Sequence, residues 1–83
     1  MSYRERLRAF PDGAYEVFYD GRRYLMRKET LLGGKLIKLY AEALGGNDFV
    51  SLNYYETAAK PLLKPCEMPA EKVIAFIENV TLP

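Results

Sequence analysis

The sequence predicts an α+β fold. The expected architecture is a small two-layer domain in which a three- or four-stranded, mainly antiparallel sheet carries helices packed on it, in the order α-β-β-α-β-(β)-α. Three observations predict this. Asp20-Gly21 stands between two runs rich in aromatic and branched residues, the pattern of a β-hairpin. Both ends of the chain carry apolar residues at helical spacing. A tight hairpin also rules out a wholly parallel sheet. At 83 residues the chain makes a single domain over 1–83.

The first element is a short amphipathic helix. Tyr3, Leu7 and Phe10 fall at i, i+4 and i+7, and Ser2 suits the N-cap. Arg4, Glu5 and Arg8 read as its solvated face. Pro11-Asp12-Gly13 then stops it.

The hairpin follows. A two-residue turn at Asp20-Gly21 pairs Tyr19 with Arg22, Val17 with Tyr24 and Tyr15 with Met26. One side of the ribbon then carries Tyr15, Val17, Tyr24 and Met26 and is the natural core face. The other carries Glu16, Phe18, Arg23, Leu25 and Arg27.

Residues 31–48, "LLGGKLIKLYAEALGGND", read as a helix between two glycine pairs. Leu36, Ile37, Tyr40, Ala43 and Leu44 would line its buried side, with Lys35, Lys38 and Glu42 opposite. "DFVSLNYY" alternates, with Val50, Leu52 and Tyr54 on one side and Phe49, Ser51, Asn53 and Tyr55 on the other. After the connector "ETAAKP", Leu62–Pro65 reads as a short strand, confined to an edge by Pro61 and Pro65. The chain closes with a helix that starts at Pro69 and buries Ala70, Val73, Ile74 and Ile77, with Val80 as an extension.

Composition narrows the chemistry. The chain has one cysteine and no histidine, so an internal disulfide is impossible and a zinc site lacks ligands. No cofactor motif is present, and a non-enzymatic role is expected. The longest strongly apolar run, Val73–Ile77, is too short to span a bilayer, and "MSYRERLRAF" lacks the apolar stretch of a secretory signal. With a free thiol this points to an intracellular, cytoplasmic protein. Residues 1–38 hold nine Arg/Lys against five Asp/Glu, and residues 39–83 hold three against six. Such a mild asymmetry is read as ordinary surface solvation.

Three groups of residues remain as candidates. Phe18, Arg23, Leu25, Arg27, Phe49 and Tyr55 would share the outer sheet face. Rings among arginines suit a protein partner or a homodimer contact. They also suit weak single-stranded nucleic-acid binding, with Arg22 and Lys28 on the flanks. The alternative to any ligand is that the first helix covers this face. Gly33, Gly34 and Lys35, if they open a helix, offer N–H groups and a cation to an anion. Cys66 lies just ahead of the last helix, where a thiol can be activated, but it has no histidine to act as base. The structural reading of Cys66 is a small half-buried apolar residue.

Overall fold

The computed structural model describes residues 2–57 and 60–83. Among these residues, five strands form one antiparallel sheet in chain order, and two helices pack against it. The elements are α1 (Tyr3–Ala9), β1 (Gly13–Tyr19), β2 (Arg22–Leu31), β3 (Leu36–Ala43), β4 (Phe49–Glu56), β5 (Pro61–Pro65) and α2 (Ala70–Asn79). The α+β class and the mainly antiparallel sheet agree with expectation. The strand count does not: the sheet has five strands, and the order is α-β-β-β-β-β-α.

The additional strand is β3, and its reassignment corrects the helix expected over residues 31–48. Lys, Leu, Ala and Glu are all good helix formers, so local propensity favours the wrong answer. The same residues also alternate. Ile37, Leu39, Ala41 and Ala43 are buried, while Lys38, Tyr40 and Glu42 are exposed. A helical stripe would have left Leu39 and Ala41 outside. Pairing decides between the two, because β3 completes the hydrogen-bond ladders of β2 and β4 on both its edges. The link from β2 to β3 is a 3-10 turn, Leu32–Gly34, in which Gly33 and Gly34 take positive φ values of 65° and 94°.

The β1–β2 hairpin has the anticipated register, with Tyr19 opposite Arg22, Val17 opposite Tyr24 and Tyr15 opposite Met26. Asp20 and Gly21 both adopt positive φ, 53° and 74°, as a turn matched to strand twist requires. Val17, Tyr24, Met26, Val50, Leu52 and Tyr54 are buried, and Tyr15 is half-buried. The final strand, expected over Leu62–Pro65, begins one residue earlier and lies at the sheet edge. Of the connector expected over 56–61, residues 58 and 59 lie outside the described residues.

Helix α1 is capped by the Ser2 side chain, which accepts from the Glu5 N–H at 3.3 Å. It buries Leu7, and Phe10 follows it into the core. Helix α2 buries Val73, Phe76 and Ile77, with Val80 just beyond. That stripe is rotated from the expected one: Ala70 is exposed, Ile74 is half-buried, and Phe76 takes the central place. Pro69 caps the helix instead of opening it.

Each helix ends on a cation supplied from elsewhere in the fold. Arg6 donates from Nε to the Ile77 carbonyl at 2.8 Å and from Nη2 to the Val80 carbonyl at 2.7 Å. Lys28 on β2 donates to the Arg8 carbonyl at 3.0 Å and the Phe10 carbonyl at 2.6 Å. Positive charge is favourable at a helix C-terminus, where carbonyls lack intrahelical partners. These bonds tie α1 to α2 and to the sheet. Arg6→Ala is expected to cost about 2 kcal/mol, since two charge-assisted bonds are lost at a half-buried site. Urea denaturation of the two proteins side by side measures it.

Candidate functional site

The placement of both helices defines the site. α1 and α2 lie on the same side of the sheet, where Leu7, Phe10, Val73, Phe76 and Ile77 join the inward residues of the strands in one core. The first helix therefore does not cover the outer face. Among the described residues, neither helix packs its buried stripe on that face; the Lys72 ammonium of α2 reaches the rim, 5.9 Å from the ring centroid of Phe49.

Side chains alternate along each strand, so the register fixes which residues share the outer face. Successive rows run across the strands. Glu16, Leu25, Glu42 and Phe49 form one; Ala14, Arg27, Tyr40 and Ser51 form the next. Glu29, Lys38, Asn53 and Lys64 form the third, and Leu31, Leu36, Tyr55 and Leu62 the fourth. Phe18 and Arg23 stand opposite each other beyond the first row. All six residues expected on this face occupy outward positions.

They do not form one cluster. Leu25 and Phe49 share a row, with Arg27 in the next. Phe18 and Tyr55 sit at opposite corners, three strands and four rows apart, or roughly 30 Å at ordinary strand spacing. Phe18 is 51% exposed; Leu25, Phe49 and Tyr55 are half-buried. Phe18 is also anchored at its backbone, where it exchanges hydrogen bonds of 2.9 and 2.7 Å with Thr81.

The centre of the face was missed because β3 was read as a helix. Tyr40, assigned to a core stripe, is 42% exposed, with its ring centroid 6.2 Å from that of Phe49. Between Tyr40, Arg27, Glu29, Lys38, Ser51 and Asn53 lies a shallow depression of ≈ 160 Å³. Leu31 and Leu36 of the fourth row were missed for the same reason. Partial alternation in "KLIKLYAEA", with Lys38 between Ile37 and Leu39 and Glu42 between Ala41 and Ala43, was the available signal.

Two polar groups on the inner side hold the layers together. Asp48, in the β3–β4 turn, accepts from the Tyr24 hydroxyl and from the Lys72 ammonium, both at 2.7 Å. The Lys72 hydrogen bond, then that of Tyr24, holds the Asp48 carboxyl below its ordinary range. Burial, reinforced by the bond to Asp48, pushes the Tyr24 hydroxyl up to about 12. Lys28 is 2% exposed, and burial lowers its pKa against the opposing pull of Asp12. Its Nζ is committed to two carbonyls, so it does not flank the outer face as expected. Arg22, opposite Tyr19, also belongs to the other side of the ribbon.

Gly33, Gly34 and Lys35 lie in and after the turn between two strands, not at the start of a helix. The helix-terminus basis for anion binding there falls away. Cys66 is exposed, not half-buried. Its N–H bonds to the Ser51 carbonyl at 3.0 Å, carrying the β4–β5 pairing one residue past the strand. Among the described residues there is no group of three or more His, Cys, Asp or Glu side chains able to hold a metal ion, and no helix is long and apolar enough to cross a membrane.

The chain matches no protein-family model, no curated protein and no solved structure. The outer face and its chemistry are therefore the basis for a functional reading.

Proposed function

We propose that this protein is a non-enzymatic binding module whose outer sheet face docks against a protein surface. One observation carries the reading: both helices pack on one side of the sheet, leaving an uncovered face that bears Phe18, Leu25, Tyr40, Phe49 and Tyr55. Phe18 and Tyr40 are exposed there and Leu25, Phe49 and Tyr55 half-buried, and rings on an open face are suited to a partner contact. Tyr, Phe and Arg are also enriched at protein interfaces, and Tyr and Arg among the residues that carry most of the binding energy.

Charge separates this reading from nucleic-acid binding. The outer face carries Arg23, Arg27, Lys38 and Lys64 against Glu16, Glu29 and Glu42. Carboxylates interleaved with cations repel phosphates, whereas a strand binder presents a basic groove. A fluorescent single-stranded oligonucleotide is expected to show no binding at high micromolar protein in low salt.

The direct test is the double variant Phe18→Ala with Tyr55→Ala. Both side chains are outside the core, so the fold is expected to persist. Association measured by sedimentation or by partner capture is expected to weaken tenfold or more, the ordinary effect of losing two interface rings. Unchanged association in a folded variant would remove these two rings from the site.

A further inference from the structure

The partner that fits this face best is a second copy of the chain. We infer that two protomers pack outer face to outer face about a two-fold axis running across the strands, between the Arg27–Tyr40–Ser51 row and the Glu29–Lys38–Asn53 row. This rests on the reading of the outer face as a docking surface and specifies its occupant.

The argument is one of charge and register. A two-fold axis across the strands brings each residue opposite the one in the mirrored row of the same strand of its partner. Arg27 then meets Glu29 of the second copy, and Glu29 meets its Arg27, because the two lie on one strand in adjacent rows. On β3, Lys38 of the second copy comes over the exposed ring of Tyr40, with Glu42 one row away. On β4, Ser51 meets Asn53. In the outer rows Leu25 meets Leu31, and Phe49 meets Tyr55. In the two central rows cation therefore meets carboxylate or ring; in the outer rows apolar side chains meet on β2 and β4, while Glu42 lies over Leu36 of the second copy on β3.

The competing arrangement fails on the same residues. An axis running along β3 sets Lys38 against Lys38 and Glu42 against Glu42, and like charges directly opposed are destabilising. Sheets stacked face to face keep their strand directions within about 30°, so the rows nearest the axis stay in register despite twist. The overlap is modest. Only β2, β3 and β4 carry all four rows, and three strands by four rows cover roughly 400 Å² per protomer at ordinary strand spacing. That is near the lower limit for a specific interface, so a concentration-dependent, weak dimer is expected.

Charge reversal tests the register. Arg27→Glu presents only carboxylates at both positions, and Glu29→Arg only guanidinium groups. Each variant alone is expected to self-associate at least tenfold more weakly than the parent in sedimentation equilibrium, at low salt. Mixed in equal amounts they are expected to form a heterodimer of near-parental affinity, since both cross-pairs are restored. Circular dichroism confirms that each is folded. A parent protein that stays monomeric up to millimolar concentration overturns the second-copy inference. The broader docking reading then stands or falls separately on partner capture by the Phe18→Ala, Tyr55→Ala variant. A parent dimer whose two reversed variants fail to recombine overturns it as well, because the contact then lies elsewhere or in another register.

Discussion

Phe76→Ala is expected to destabilise the protein by about 3–5 kcal/mol, the usual cost of deleting a buried phenyl ring. Phe76 has no exposed surface, and its ring lies 4.9 Å from that of Tyr19 and 5.5 Å from that of Tyr24, centroid to centroid. Tyr19 and Tyr24 meet edge-on at 5.8 Å, so the three rings join α2 to both strands of the hairpin. Aromatic pairs in such tilted arrangements add stability beyond their buried area. A domain of 83 residues has a total stability of roughly 4–12 kcal/mol. The substitution therefore removes a large part of the whole. Phe76→Leu keeps most of the apolar volume and is expected to cost clearly less. Guanidinium denaturation gives both values. A loss below about 1 kcal/mol for Phe76→Ala would mean the ring cluster is not central to the core.

Asp48→Ala is expected to cost about 2–3 kcal/mol, because it strips partners from the buried Tyr24 hydroxyl and from Lys72 at once. Tyr24→Phe removes the hydroxyl together with its need for a partner, so its cost is expected near 1 kcal/mol. The two changes share one hydrogen bond. Combined in one chain, they are expected to cost less than the sum of the singles.

The same pair shapes the response to pH. Tyr24 titrates near 12 when folded and near 10 when unfolded. Below pH 10 its hydroxyl is neutral in both states and the stabilisation is fully present. Between pH 10 and about 12 the unfolded chain ionises first, so stability falls as pH rises. Tyr15, raised in the same direction by its partial burial and by Asp12, adds to that loss. Asp48 acts at the opposite end. Its folded pKa lies below the ordinary 3.8, so its contribution is present above that value and is lost as pH falls through the folded pKa. Thermal melts at pH 9, 10 and 11 are expected to show a steepening loss of stability that Tyr24→Phe reduces. An equal loss in the variant would place the alkaline transition in other groups.

Much of the fold was legible from local chemistry. Asp20-Gly21 requires two adjacent positive φ values and so sets the hairpin register without reference to the rest of the chain. Alternation in "DFVSLNYY" predicts which side of β4 faces inward, and Pro61 and Pro65 restrict β5 to an edge. The error over residues 31–48 has a definite cause. A run such as "KLIKLYAEA" satisfies a period of 2 and a period near 3.6 almost equally over two turns, and its propensities favour the helix. Six of the outer-face residues were identified from the strands read correctly. Tyr40, Lys38 and the leucines that join Tyr55 in the fourth row, Leu31 and Leu36 among them, came into view only with β3 in place.

By itself, then, the sequence determined the class of the fold and the turn that organises it, because these depend on residue identity and on neighbours a few positions apart. The tertiary structure alone decided that residues 36–43 are a strand, that both helices share one side of the sheet, and that Lys28 is spent on the end of α1. Each of those outcomes turns on which distant backbone and side-chain groups satisfy one another, and no local pattern encodes that.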